Sequence, residues 1–248
     1  MVDPVLMSLA SVAVVSLVSF IGVITLVVND RMIRNILPLL VGFSAGALLG
    51  DAFIHLIPEA AEGGFSASIS LYILLGIVVS FIVEKIVHWK HKHTLAPASR
   101  PQPFAYMNLF GDAIHNFIDG AVVAASYLVS VPIGIATTIA VVFHEIPQEI
   151  GDFGVLLHGG FSRKKALFWN FISALFAVFG AVVSIFISTY IESSLPVMVA
   201  FAAGGFVYIA GADLIPELHK KNDIRNSIIQ FLSITLGIAT MYLLVFIE

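Results

Sequence analysis

The stretch ILPLLVGFSAGALLGDAFIHLIPE, Ile36 to Glu59, decides the fold. It is apolar over the roughly 20 residues a helix needs to cross a bilayer, and it recurs. Phe43-Ser44-Ala45-Gly46 leading to Leu56-Ile57-Pro58-Glu59 matches Phe201-Ala202-Ala203-Gly204 leading to Leu214-Ile215-Pro216-Glu217, at a constant offset of 158 residues. His55 falls opposite Asp213. Small residues and one tetrapeptide do recur by chance in apolar chains, but a constant offset argues against chance here.

Working outward, 59% of the 248 residues are apolar, 11% are charged and the mean hydropathy is +1.01. A chain with so little polar surface belongs in lipid. Apolar runs predict eight spans, near Leu6 to Val28, Ile36 to Pro58, Ser68 to Val87, Ala105 to Leu128, Ile133 to Leu157, Lys165 to Tyr190, Leu195 to Leu218 and Ser227 to Ile247. The first run lacks the basic n-region of a cleaved signal peptide and leads straight into a multispan pattern, so it reads as a true span.

Basic residues near span ends stay on the cytoplasmic side. Arg31 and Arg34 follow span one, and Lys85, Lys90, Lys92 and Arg100 follow span three. Arg163, Lys164 and Lys165 follow span five, and Lys220, Lys221 and Arg225 follow span seven. These are all 12 Lys and Arg of the chain. Both termini are therefore expected outside, or in a lumen. Spans two and seven then cross in opposite directions, so the repeat is inverted, as in many secondary transporters. The expected fold is an all-α polytopic membrane protein in a 3+2+3 arrangement: residues 1–87 as the first repeat, 88–104 as a cytoplasmic loop, 105–157 as two central spans and 165–248 as the second repeat.

The net charge of -4 says little, since several carboxylates lie within spans. The absence of Cys excludes disulfides and thiolate metal sites. The segment His88-Trp89-Lys90-His91-Lys92-His93, followed by Pro97, Pro101 and Pro103, reads as an exposed, poorly ordered linker. Its three His offer a transient metal site, while a solvated basic loop is the plainer reading. No nucleic-acid module, dinucleotide fingerprint or phosphate-binding loop is present.

Ionisable groups in hydrocarbon cost roughly 2.5 to 3.5 kcal/mol each, so their placement needs a reason. In span four Asp112, His115, Asn116 and Asp119 follow i, i+3, i+4, i+7 spacing and share one helix face. In span five Glu145, Gln148, Glu149 and Asp152 repeat the intervals, with His144 one turn before Gln148. Both clusters sit near the middle of their spans and are expected to meet at one depth. Imidazole, carboxylate and amide oxygen without thiolate suit zinc, iron(II), manganese and similar ions, and a divalent cation lets packed carboxylates stay ionised. Single polar residues often do no more than join helices; two facing stripes ask for more. Pro147 lacks an N–H, frees the carbonyl of Phe143 and predicts a break in span five. Pro58 and Pro216 do the same beside Glu59 and Glu217. Asp51, His55 and Glu59 on span two, and Asp213 on span seven, fit either a lining of the pathway or structural pairing. Asn170 is equally open, and His158 and His219 read as interfacial.

These motifs, HNFIDG in span four and HEIPQEIGDFGVLL in span five, resemble the ZIP (Zrt/Irt-like) family of metal-ion transporters over the whole chain. The subgroup whose fifth span reads HEIPHE is the most similar. The resemblance implies metal ligation by His115, Asn116, Asp119, His144, Glu145 and Gln148, with Glu149, Asp152, His55, Asp51 and Asp112 as further candidates. It also implies transport of zinc, iron, manganese or cadmium toward the cytoplasm by alternating access, with the ion as substrate and no catalytic cofactor, commonly as a homodimer in the bilayer. Spans four and five would move against a scaffold that includes spans two and seven. Gln148 departs from the pattern, standing where that subgroup often has a second His; some members carry a span-six carboxylate that could bridge a second metal, for which the nearest candidate here is Asn170, so one metal or two is left open. The alternative is an intramembrane zinc protease, because His144-Glu145-Ile146-Pro147-Gln148 begins like HExxH. Gln148 and Pro147 weaken it. The short chain suggests a prokaryotic plasma membrane.

Overall fold

The structure, a computed structural model, describes residues 3–26, 30–93, 101–220 and 223–246. Every regular element among them is helical. Span one is α1 (Pro4–Val18) continued by a 3-10 segment, Ser19–Leu26; span two is α2 (Asp30–Gly50), a π-helical turn, Asp51–Leu56, and α3 (Ile57–Ala60). Then follow α4 (Ala67–His93), α5 (Pro103–Val129), α6 (Val131–His158), α7 (Arg163–Ala174) with α8 (Phe176–Phe186) as span six, α9 (Ser188–Tyr208), a second π-helical turn, Ile209–Leu214, α10 (Ile215–Leu218), and α11 (Ile224–Leu244).

Local chemistry starts these helices where the sequence suggests. Pro4, Pro103 and Pro132 occupy first turns, where a missing N–H costs nothing. Asp3, Ser130 and Asp223 cap α1, α6 and α11 by accepting from Val5, Ile133 and Asn226 backbone N–H groups. Seven of the helical stretches are long and apolar enough to cross a membrane. The eighth expected span, α5, has 27 residues, about 40 Å of helix, and its polar stripe is what lowers its hydropathy. Leu71, Leu74 and Phe81 on α4 and Phe231, Leu236 and Leu243 on α11 are largely exposed, as suits side chains that face lipid.

The repeat is carried in the backbone as well as the sequence. Both π-helical turns lie at the 158-residue offset, and each is followed by a four-residue helix with proline in its first turn. The Ile57 N–H reaches back five residues to Ala52 O, and the Ile215 N–H to Ala210 O. The proline ring at 58 or 216 would clash with the carbonyl four residues earlier; a wider turn relieves the clash. Pro38 and Pro196 extend the correspondence inside α2 and α9.

Packing obeys the same relation. α2 lies along α11 as α9 lies along α4, while α5 packs on α8, α6 and α1 in a second group. A Cβ added at Gly46 would fall 2.1 Å from Ile234 O, and one at its repeat mate Gly204 would fall 2.0 Å from Ile73 O. Close backbone approach through small residues is how helices associate in lipid, where no hydrophobic drive separates helix from solvent.

Three expectations need correction. α6 runs unbroken through Pro147, because one lost hydrogen bond in a long, packed helix does not end it. The expected linker from His88 is helical as far as His93, and His88 Nδ1 lies 3.3 Å from Glu84 Oε1 one turn back; residues 94–100 lie outside the described residues. Span six is interrupted at Leu175, and α9 begins at Ser188, inside the stretch assigned to span six.

If these contacts hold the repeats together, Gly46→Ala and Gly204→Ala should each destabilise the purified protein by roughly 1–3 kcal/mol, the usual range for overpacking. Thermal unfolding in detergent checks this; full tolerance at either position would contradict the packing.

Candidate metal centre

The polar face of α5 carries Asn108, Asp112, His115, Asn116 and Asp119, all buried. That of α6 carries Glu145, Gln148, Glu149 and Asp152, also buried, with His144 partly so. Gly120 allows the central helix to seat deeply, since a Cβ there would fall 1.8 Å from Ala177 O of α8.

Four of the expected residues converge. One ligand atom each from His115, Asp119, His144 and Glu145 lies within 4.8 Å of all the others. The Nε2–H of His144 donates to Asp119 Oδ2 at 3.0 Å. His115 Nε2 lies 3.4 Å from Asp119 Oδ2 and 3.6 Å from Glu145 Oε1. In a tetrahedral shell with metal–ligand bonds near 2.1 Å, ligand atoms stand about 3.4 Å apart, so these separations already approximate the edges of such a shell. Both ring nitrogens of His115, both oxygens of Glu145, both amide atoms of Gln148 and Oδ1 of Asn116 are buried with no hydrogen-bond partner. Burying that many bare polar atoms is expensive, and most of them are the lone-pair donors that a cation requires.

On one side of the cluster a cavity of about 420 Å³ is lined by Asp51, His55, Glu59, Glu62, Asp119 and His144 among others. Asp51 links this vestibule to the cluster, with Oδ1 3.1 Å from His55 Nδ1 and Oδ2 3.9 Å from His115 Nδ1. Asp51 and His55 thus pair with each other and also line this cavity. On the other side, neutral donors seat the remaining carboxylates. Asn108 Nδ2 donates to Asp152 Oδ1 at 3.0 Å, Asn170 Nδ2 to Glu149 Oε2, and the Ser173 hydroxyl to Asp112 Oδ2.

The other candidates fall elsewhere. Asp213 is buried in the second π-helical turn and does not line the cavity. His158 Nε2 sits 3.1 Å from Glu217 Oε1, tying the end of α6 to α10. Sequence reasoning passed over Asn108, Ser173 and Glu62. The first was accessible, since it extends the α5 stripe by one more turn, and Ser173 lies three residues from Asn170 on α7.

The family model described as "ZIP Zinc transporter" matches residues 3–103 and 90–245. Zinc transporter zipt-7.2 of Caenorhabditis elegans is 32% identical over 86% of this chain and 59% of its own length. Zinc transporter ZIP13 of Mus musculus is 34% identical over 84% of this chain and 70% of its own, and zinc transporter YKE4 of Saccharomyces cerevisiae 32% over 87% and 72%. The chain thus spans about three fifths of the length of the first of these relatives.

A cation that fills the cluster should stabilise the fold. Zinc at about 100 times its dissociation constant should add roughly 2.7 kcal/mol, read as a raised unfolding temperature that is lost in His115→Ala and Asp119→Ala; an unchanged shift in both variants would place the ion elsewhere.

Proposed function

Because the chain belongs to the ZIP zinc transporter family, we propose that it carries divalent transition-metal ions across a membrane by alternating access, zinc foremost, with iron, manganese and cadmium as further substrates. The observation that carries this reading is the four-residue cluster of donor atoms, three residues buried and His144 partly so, beside an acid-lined vestibule.

In this reading the ion is attracted by Glu59 and Glu62, handed through His55 and Asp51, and held by His115, Asp119, His144 and Glu145, with the oxygens of Asn116 and Gln148 as additional ligands. It leaves past Glu149, Asp112 and Asp152. Oxygen and imidazole donors replace water around the ion, and the carboxylates offset its charge. A vestibule on one side of the cluster suits a state open to that face. Release to the other face then needs the group built on α5 and α6 to shift against that built on α2 and α9. The one-sided basic residues support uptake toward the cytoplasm, with both termini on the opposite face. We further place the protein in a plasma membrane as a homodimer.

The protease alternative draws no support: the relatives are named as transporters, and Gln148 stands where HExxH needs its second imidazole.

Purified protein in sealed vesicles should take up zinc, and Glu145→Ala or His115→Ala should abolish uptake, a loss of at least tenfold, without preventing membrane insertion. Competition among zinc, iron(II), manganese and cadmium ranks the substrates. Normal uptake by both variants would refute the site.

A further inference from the structure

The amide of Asn116 is not free to choose which of its atoms it presents. Its Nδ2 faces Asp112 Oδ1 at 2.8 Å and the Asp112 carbonyl oxygen at 3.1 Å. A carbonyl oxygen can only accept, and so can an ionised carboxylate oxygen. Rotating the amide by half a turn would set oxygen against oxygen at both contacts. Both amide hydrogens are therefore committed to Asp112, and the fully buried Asn116 Oδ1 is left with no donor. Asp112 is itself held, because its Oδ2 accepts from the Ser173 hydroxyl on α7. The pattern repeats one turn earlier on α7: Asn170 Nδ2 donates to Glu149 Oε2, and Asn170 Oδ1 is left bare.

We propose that Asp112, anchored by Ser173, is a positioning residue that locks the Asn116 amide with its oxygen, and not its NH2 group, turned toward the transported cation. This rests on the reading of Asn116 as a ligand. The physical stake is large, since a flipped amide would aim two N–H dipoles at a cation and repel it. Partners that orient ligands in this way typically change metal affinity 10- to 100-fold when removed. Span six, which contributes none of the four clustered donors, thereby acts on Asn116 through the Ser173 hydroxyl.

The test compares zinc uptake by Asp112→Ala, Asp112→Asn, Ser173→Ala and Asn116→Ala in sealed vesicles. Asp112→Ala should raise KM for zinc about tenfold, and Ser173→Ala by less. Asp112→Asn should recover most of that loss. Its amide oxygen can still accept from Asn116, and its NH2 can donate to Ser173 Oγ, whose proton then turns to the Asn170 carbonyl oxygen at 3.0 Å. If Asp112→Asn is as impaired as Asp112→Ala, the negative charge and not the hydrogen-bond geometry is what counts, and the proposal fails. Wild-type KM in Asp112→Ala with an impaired Asn116→Ala would also overturn it while leaving Asn116 a ligand. Wild-type KM in Asn116→Ala would instead remove the ligand reading on which it rests. Where a variant inserts poorly, the visible spectrum of cobalt(II) bound to detergent-purified protein decides. Asp112→Ala should alter the bands and Asp112→Asn should restore them; identical spectra in all three proteins would overturn the proposal.

Discussion

The low dielectric of a membrane interior does not tolerate bare carboxylates, and α5 and α6 carry five of them: Asp112, Asp119, Glu145, Glu149 and Asp152. No Lys or Arg falls between residues 101 and 162 to offset them. The structure meets this constraint in two ways. Toward the inner ends of the stripes, Asn108, Asn170 and Ser173 supply neutral donors that satisfy one oxygen each of Asp152, Glu149 and Asp112. At the centre no such neutral donor among the described residues serves Glu145; the His115 imidazole stands 3.6 Å from it, and the His144 imidazole stands against Asp119. A cluster left short of donors in hydrocarbon is stable only with a proton or a cation in it. In the proposed function that dependence would link the fold to the transport, since a cation completing the site would be the ion that is moved.

Both repeats serve to hold this pair of stripes. Gly46 and Gly204 let α2 and α9 sink against α11 and α4, and Gly120 does the same for α5 against α8. Helices that close have little slack for side-chain rearrangement, so the proposed movement would fall at the contacts between the two groups. The π-helical turns lie at such a place. The first carries Asp51 and His55, and the wider turn beside Pro58 allows both side chains to face the vestibule and the cluster.

Much of this was legible in the sequence, for reasons that can be named. Span positions follow from apolar length, which water and lipid enforce directly. The stripes follow from helical periodicity, so His115, Asp119, His144 and Glu145 were identifiable as neighbours before any coordinates. Less legible was what depends on packing between spans far apart in sequence. Ser173 sits 61 residues from Asp112, and no local pattern marks that pair. Pro147 shows the opposite error, a strong local signal overridden by the packed helix around it. The His-rich run beyond Val87 misled in the same way, because charge and proline nearby resembled a loop while α4 continued to His93.

The frame of the molecule is nearly symmetric, but its chemistry is not. Asp51 and His55 in the first π-helical turn have Ile209 and Asp213 as their repeat mates, so the imidazole and the linking carboxylate exist on one side only. Glu59 and Glu217 are mates as well, yet Glu59 lines the vestibule while Glu217 is engaged by His158 and Lys220. An ion approaching from the vestibule meets unneutralised carboxylates; one approaching from the opposite end meets a carboxylate already paired with cationic or hydrogen-bonding partners. Equal scaffolds with unequal side chains bias where an ion binds first without requiring the two conformations to differ in fold. In the proposed alternating-access cycle, the symmetry would supply two related states of the same helices, and the unequal residues would decide which face each state serves.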